Sequence, residues 1–425
     1  MSKLDKMIAE LCPDGVEYKT ISELFNTRNG YTPSKAKKEY WINGTIPWFR
    51  MEDIRENGRI LSKATQYVSE SAVKGSPFPA NSIIVATSAT IGEHALIKVP
   101  SLANQRFTYL MLKDEYKAYI DIMFIYYYCF KLDEYCKVCL NHGNFASVDM
   151  RKFAKFKFPV PPLEVQREIV RVLDSFTLLT AELTAELTAR KKQYSFYRDQ
   201  LLKFETGVRI VPIREVIKHS CSGATPAKGN SDYYDGGTIP WIRTQDVCFN
   251  EITNVNSFIT EKAVKETAVK WIPENCVIVA ISGATAGRCA INKIKATTNQ
   301  HCLNMEIDKE KALYKYVYYC LCSKQDELIS KKQGARGDLN ASLIMSTEIP
   351  VPNLEIQKRI VKVLDNFEAI CTDLNIGLPA EIEARQKQYE YYRDLLLTFA
   401  ETGSTLVTDR QAHRQTQRQT ERQTD

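Results

Sequence analysis

The chain matches itself, in the same order along almost its whole length, and such a duplication leaves few architectures open. GYTPSKAKKEYWINGTIPWFRMED (30–53) returns as GATPAKGNSDYYDGGTIPWIRTQD (223–246), at a constant offset of 193 and with 12 of 24 positions identical. IIVATSATIGEHALI (83–97) returns as VIVAISGATAGRCAI (277–291), and Asn104-Gln105-Arg106 as Asn299-Gln300-His301. PVPPLEVQREIVRVLD (159–174) matches PVPNLEIQKRIVKVLD (350–365) at 11 of 16 positions. RKKQYSFYRDQLL (190–202) matches RQKQYEYYRDLLL (385–397) at 9 of 13. Two copies with so long a period are not a solenoid. The order is head, helix, head, helix.

Each head is mixed. The β-branched apolar runs Ser82–Thr87 and Cys276–Ser282 read as buried strands among loops rich in Gly, Pro, Asn and Ser. Helices are expected at Tyr116–Cys139 and Leu313–Ser330, so the heads class as α/β or α+β with an irregular sheet.

Each module then closes on a helix. Pro161-Pro162 suits a helix entry, because proline lacks an amide that the first turn would leave unpaired. Beyond it Ile169, Val172, Phe176, Leu179, Leu183, Leu187, Tyr194, Tyr197, Leu201 and Phe204 fall at spacings of three, four and their sum. That stripe runs for about 60 Å at about 1.5 Å per residue. Its expected partner is the second helix, Leu354–Phe399, through Ile360, Val363, Phe367, Tyr389 and Tyr392. The first turns also suit packing on the helix's own head, but the whole length does not. A pseudo-dyad between the modules would set the two long helices antiparallel, as a coiled coil separating two heads. A two-fold arrangement suits a reader of two DNA half-sites.

Phe176 and Tyr194 are 18 steps apart, whereas Phe367 and Tyr389 are 22 apart. Thr180-Ala181-Glu182-Leu183 is followed by an identical Thr184-Ala185-Glu186-Leu187. One such unit adds about 6 Å of helix, roughly one to two base steps, so these units are expected either to set the gap between half-sites or to be ordinary helix-forming sequence.

Composition excludes several function classes. The 425 residues suffice for two domains plus connecting elements, and 44% apolar with 25% charged residues describes a folded protein. The last 22 residues hold four Arg, two Asp and one Glu, so they supply +1 of the net +6 and leave a mildly basic body. That balance suits nucleic acid without demonstrating it. MSKLDKMIAELCPDG has no apolar signal core, and the greasiest run, Tyr119–Phe130, spans 12 residues and carries Asp121. A bilayer span needs about 20, so a buried helix, no membrane partner and a cytoplasmic location are expected.

Twelve cysteines lie scattered, and Cys136/Cys139 and Cys320/Cys322 lack a second ligand pair, so free thiols are expected. Histidines 94, 142, 219, 301 and 413 are dispersed. There is no P-loop, no Asn-Pro-Pro-Tyr/Phe, no glycine fingerprint and no His-x-x-x-His, so neither catalytic nor metal residues are expected. The tail RQAHRQTQRQTERQTD is expected to be disordered.

Candidate DNA contacts follow from what the heads share and where they differ, since phosphate contacts supply affinity and base-edge contacts specificity. Lys35 with Lys228, and Arg50 with Arg243, occur at matching positions and suit phosphates. Ion pairs with Asp53 and Asp246 are the alternative. Trp48 and Trp241 read as core. Thr87-Ser88-Ala89-Thr90 and Ser282-Gly283-Ala284-Thr285 either touch the DNA backbone or merely turn the chain. Gln105-Arg106 and Gln300-His301 carry groups able to read purine edges. Segments that differ are candidates for sequence choice: Lys37-Lys38 against Asn230-Ser231, and His142-Gly143-Asn144 against Gly334-Ala335-Arg336-Gly337. Among these, Arg106 and Arg336 join the DNA-contact candidates.

Gly-x-Thr-Pro and Ile-Pro-Trp in each head, with Pro-Val-Pro-x-Leu-Glu-x-Gln opening each helix, resemble the specificity subunits of type I restriction–modification systems. The resemblance covers residues from about 12 to 403. It implies target recognition domains at 1–158 and 207–349, spacer helices at 159–206 and 350–403, and a tail at 404–425. Each head would read one part of a split double-stranded DNA target. The helices would form an antiparallel coiled coil that spaces the heads and binds two DNA methyltransferase (modification) subunits, with restriction/translocase subunits as further partners. S-adenosylmethionine, ATP and Mg would belong to those partners, and none to this chain. A protein–protein scaffold without DNA, or a specificity subunit of an enzyme outside type I, are the competing readings. The scaffold leaves two heads with repeated loop cations without a task.

Overall fold

The structure, a computed structural model, describes residues 3–141, 146–331, 338–372 and 376–402. They divide into two compact units, the described residues up to 181 with those from 384 onward in one and the described residues between 182 and 383 in the other. Six helices organise them: α1 (Lys3–Leu11), α2 (Ile122–Val138), α3 (Leu163–Leu201), α4 (Tyr314–Ser323), α5 (Leu354–Thr372) and α6 (Leu378–Thr402).

The first head is built on a five-stranded sheet in the order Phe25–Asn29, Phe107–Leu112, Ser82–Ala86, His94–Ile97, Ile60–Leu61. All neighbours are antiparallel except the last pair. The second head repeats it as Ile217–Ser222, Cys302–Ile307, Val277–Ala280, Cys289–Asn292, Glu251–Ile252, again with a parallel final pair. The central strands are buried on both faces, which is why they read as unbroken β-branched runs. Ile83 and Val85 face one core with α2, while Ile84 and Ala86 face a second core with Trp48 and Phe49. Val277 and Val279 face a core with α4, and Ile278 and Ala280 a separate one. That second core is closed by a small sheet around Ile46–Phe49, matched in the other head by one around Ile239–Ile242.

Two helix expectations need correcting. α2 starts at Ile122 rather than Tyr116, because Asp121 caps it by accepting from the Met123 amide at 2.8 Å. The helix expected over Leu313–Ser330 breaks at Lys324, which leaves helical geometry (φ −91°, ψ 9°), and resumes as Gln325–Ser330.

The Pro-Val-Pro-x-Leu-Glu-x-Gln motif turns out to be a joint. Its first proline, Pro159 or Pro350, lies in a two-stranded ladder, Glu17–Thr20 with Lys157–Val160 and Arg209–Pro212 with Glu348–Val351. Its glutamine then clamps helix to head. Gln166 is wholly buried, donates to Tyr119 O (2.9 Å) and Pro161 O (2.7 Å), and accepts from the Asp121 amide (2.9 Å). Gln357 repeats this with Lys311 O, Pro352 O and the Leu313 amide. Tyr127 Oη to Asp174 and Tyr319 Oη to Asp365, both 2.6 Å, add a second repeated tie.

α3 is continuous over 39 residues. The second helix is not: α5 ends at Thr372 and α6 begins at Leu378, correcting the unbroken Leu354–Phe399 helix. Gly377 precedes the restart and Pro379 sits in its first turn, where a missing amide is harmless. The four extra residues between Phe367 and Tyr389 fall across this interruption.

Within the first unit the opening turns of α3 meet the closing turns of α6. Val165, Ile169 and Leu173 share a core with Leu396, Leu397 and Phe399, and Phe176 stacks on Tyr392 at 5.3 Å. Within the second unit the end of α3 meets α5. Leu201, Leu202 and Phe204 pack with Ile360 and Leu364, and Tyr197 stacks on Phe367 at 5.7 Å. In each unit, then, one module's helix start packs against the other's helix end, the pairing that antiparallel helices produce. Among the described residues no helix is long and apolar enough to cross a membrane.

Candidate nucleic-acid interface

The strands Ile46–Phe49 and Ile239–Ile242 deliver a buried tryptophan followed by a basic residue. Trp48 and Trp241 are core, as their apolar setting implied. Their indole N–H groups donate to Tyr31 O (3.0 Å) and Ala224 O (3.2 Å), fastening each strand to its Gly-x-Thr-Pro loop. The glycine of that loop is dictated by space: a Cβ on Gly30 would strike the backbone of Ala103 and Asn104, and one on Gly223 that of Thr298. The threonine then holds the purine-reading candidate, Thr32 to Gln105 and Thr225 to Gln300. Asn104 and Asn299 shape the same turn by accepting from the amides of Arg106 (3.0 Å) and His301 (3.1 Å).

Arg50 and Arg243 do not form the ion pairs that their spacing allowed. Asp53 Oδ2 accepts from the Arg50 amide (2.7 Å), and Asp246 Oδ2 from the Arg243 amide (2.8 Å). Asp53 is wholly buried and also accepts from the Thr65 amide (2.6 Å) and hydroxyl (2.9 Å). The carboxylates therefore fix main chain. The guanidinium groups lie over Trp48 and Trp241, at 5.7 and 6.0 Å, and in both arginines the buried Nε has no hydrogen-bond partner. Arg50 also donates to Thr65 Oγ1 at 3.1 Å.

In the second head these groups surround a cleft of about 620 Å³ lined by Thr225, Lys228, Trp241, Arg243, Gln300 and His301, among others. Lys228, Gln300 and His301 are exposed and Arg243 is half-buried. Residues far apart in sequence thus meet at one surface. In the first head Lys35, Gln105 and Arg106 are exposed and Arg50 half-buried at the matching positions. Asn256 and Ser257 also line the cleft, and no repeat announced them.

The Ser/Thr/Gly loops are tight turns. Ala89 and Gly283 adopt positive φ (66° and 70°), and Asp338 accepts from the Ser282 hydroxyl (2.6 Å) and the Gly283 amide (3.2 Å). Lys37 donates to Tyr40 Oη, and Asn230 caps its own turn. His142, Gly143, Asn144, Arg336 and the rest of 334–337 lie outside the described residues, as does the tail. Among the described residues no cluster could hold a metal ion.

The helix candidates separate into three groups. Ile169 and Ile360 are buried in the cores of their own heads. Val172, Phe176, Leu179, Leu183, Leu187, Tyr194, Phe367 and Tyr389 are half-buried, and Tyr392 is exposed but stacked. Val363 is 41% exposed and Val361 packs on the core beside Ile360 and Leu364, so of the two roles expected of Val363, inter-helix contact or partner docking, its exposure speaks against the first alone. Sequence reasoning overlooked Phe196 and Tyr391. They occupy matching positions and are both exposed.

The chain matches the family described as Type I restriction modification DNA specificity domain twice, over residues 13–190 and 205–384. It is 58% identical over 219 residues to the type I restriction enzyme EcoprrI specificity subunit of Escherichia coli, spanning 48% of this chain and 53% of that one. It is 40% identical over 261 residues to the EcoR124I/EcoR124II specificity subunit of Escherichia coli, spanning 58% and 64%. The chain thus spans between half and two thirds of those relatives' lengths. A chain from a solved structure concerned with complex assembly and conformational transition of the type I R-M system superposes with a TM-score of 0.62 at 17% identity. The superposition covers 91% of this chain and 98% of that one, and it speaks for the fold. Two matched domains, one in each copy of the repeat, place this chain in the type I restriction modification DNA specificity family.

Proposed function

We propose that this chain is the non-catalytic specificity subunit of a type I restriction–modification complex, in which each head reads one part of a split double-stranded DNA target. The observation that carries this reading is the cleft on the second head, where Lys228 and Arg243 meet His301, together with Lys35 and Arg50 at the matching positions of the first head beside a position that differs, Arg106. Shared cations answer a task common to any sequence, which is holding phosphates. The differing position answers a task particular to each head, which is choosing bases.

Docking of two modification subunits is supported by the exposed aromatics Phe196 and Tyr391, which repeat as two copies of one partner require. In this reading S-adenosylmethionine, ATP and Mg belong to the partners, restriction/translocase subunits join them, and the assembly is cytoplasmic, in keeping with twelve free cysteines. Duplex binding by the assembled complex tests the reading. Affinity should fall steeply with salt, and a complex indifferent to DNA at every salt concentration would leave only a scaffold.

A further inference from the structure

In both heads the side-chain amide of one exposed glutamine is held by a threonine of the Gly-x-Thr-Pro loop. Thr32 Oγ1 donates to Gln105 Oε1, and Thr225 Oγ1 to Gln300 Oε1. The threonines have little freedom. Each lies between a glycine with no room for a Cβ, two positions back, and a buried proline, Pro33 or Pro226. The residue before each threonine is tied to a neighbouring strand, Tyr31 N to Ala103 O at 2.8 Å and Ala224 N to Thr298 O at 3.0 Å, and its carbonyl accepts the tryptophan indole. The glutamine's own turn is closed as well, since the carbonyls of Asn104 and Asn299 accept from the amides of Phe107 and Cys302, both at 3.2 Å. The amide is thus presented in one orientation, with Oε1 engaged by the loop and Nε2 at the other end. In the second head that nitrogen lies 3.2 Å from His301 Nε2, in the cleft that Lys228 and Arg243 also line.

We infer that Gln105 and Gln300 are uncharged donors to the phosphate backbone rather than readers of purine edges, and that Thr32 and Thr225 are the positioning residues that make them so. A glutamine reading adenine uses both ends of its amide at once, Oε1 for N6 and Nε2 for N7. Here one end is already engaged by the fold. What remains is an amino group with two N–H donors, and donors alone suit a phosphate oxygen. In the second head one of the two faces His301, which leaves the other for the duplex. The repeat argues the same way. The threonine–glutamine lock recurs in both heads, whereas heads that read different half-sites need different readers, and the difference falls one residue on, at Arg106 against His301. Each turn therefore carries two tasks side by side, backbone contact at the glutamine and base choice at the next residue. Because the glutamine is neutral, its phosphate contact displaces no counterion, unlike those of Lys228 and Arg243. The inference rests on the DNA reading proposed above and assigns the glutamine's share of it.

The assembled complex carrying Gln300→Ala, titrated with duplex over a range of salt concentrations, tests it. Affinity should fall roughly three- to tenfold at every salt concentration, so that the slope of log affinity against log salt stays that of the parent. The bases selected from a randomised duplex pool should also stay the same. Thr225→Val should copy this loss, and Thr225→Ser, which keeps the hydroxyl, should recover the parent affinity. Replacing the phosphates of the bound duplex one at a time by uncharged methylphosphonate should reveal one position that weakens the parent but not Gln300→Ala. A changed base preference in the second half-site would overturn the inference, because Gln300 would then be a base reader. So would parent-like affinity in Gln300→Ala, which would leave the amide with no task beyond its own turn, and parent-like affinity in Thr225→Val would remove the threonine's positioning role. A parent complex that binds no duplex fails the reading beneath the inference; a parent that binds while Gln300→Ala matches it fails the inference alone.

Discussion

Asp53 shows how a residue can be conspicuous in the sequence and still misread. A carboxylate three positions after an arginine has the spacing of a surface ion pair, yet Arg50 stands in extended backbone (φ −131°, ψ 176°) at the entry to a short helix, and the carboxylate closes back on amides. Asp53→Ala removes a buried carboxylate that two main-chain amides and a hydroxyl donate to, and should lower the stability of the first unit by about 2–4 kcal/mol, measurable by denaturant titration. An exposed ion pair would contribute about 1 kcal/mol or less. Arg243→Ala should leave folding intact and reduce the slope of log affinity against log salt by about 1, uniformly across DNA sequences. His301→Arg should instead alter which bases the second head accepts, by about 1–3 kcal/mol of discrimination at one position, read by competition among duplex targets. That Lys228, Arg243 and Gln300 belong to one surface was legible because the repeat marks what two heads hold in common. Asn256 and Ser257 were not, since each comes from a loop without an echo.

Elements were legible where periodicity is strong and illegible where a single backbone group decides. The strands Ser82–Ala86 and Val277–Ala280 and the length of α3 follow from apolar patterning. The start of α2 depends on the Asp121 cap, and the break before α6 on Gly377 and Pro379, neither of which perturbs a stripe. The repeated glutamine of the helix-opening motif owes its place to three hydrogen bonds, which no pattern in the sequence announces. Gln166→Ala should destabilise the first unit by roughly 3 kcal/mol, and Gln166→Glu should not restore it, because a carboxylate cannot donate to Tyr119 O and Pro161 O. Glu368 offers a pH-dependent contrast on α5. Burial raises its carboxyl above the ordinary range, although the Tyr319 hydroxyl at 2.9 Å works against this. A raised folded-state value means the protonated form is favoured on folding, so the contribution is full at low pH and is lost as pH rises through that value. Glu368→Gln should therefore melt higher than the parent at pH 8 and nearly equal it at pH 4. A lower melting point at both would show that the ionised carboxylate is needed.

At the scale of the molecule, the duplication carries the account. α3 passes through the doubled Thr-Ala-Glu-Leu without interruption, so adding or deleting one unit should lengthen or shorten a continuous helix by about 6 Å. Sites methylated by such a variant complex should keep both half-sites and change the gap by roughly one to two base pairs. Altered half-sites with an unaltered gap would defeat the spacer reading. The head-to-helix ties repeat in both units, whereas α1 has no counterpart among the described residues of the second, so likeness and difference alike trace to a copied module that has been furnished unequally. The central claim, that this chain chooses the DNA sequence for a modifying complex, is tested most directly by mapping methylated bases genome-wide in cells with and without it. The account predicts that one split target, two defined half-sites around a fixed gap, is methylated only when the chain is present; an identical methylation pattern in both cells would contradict it.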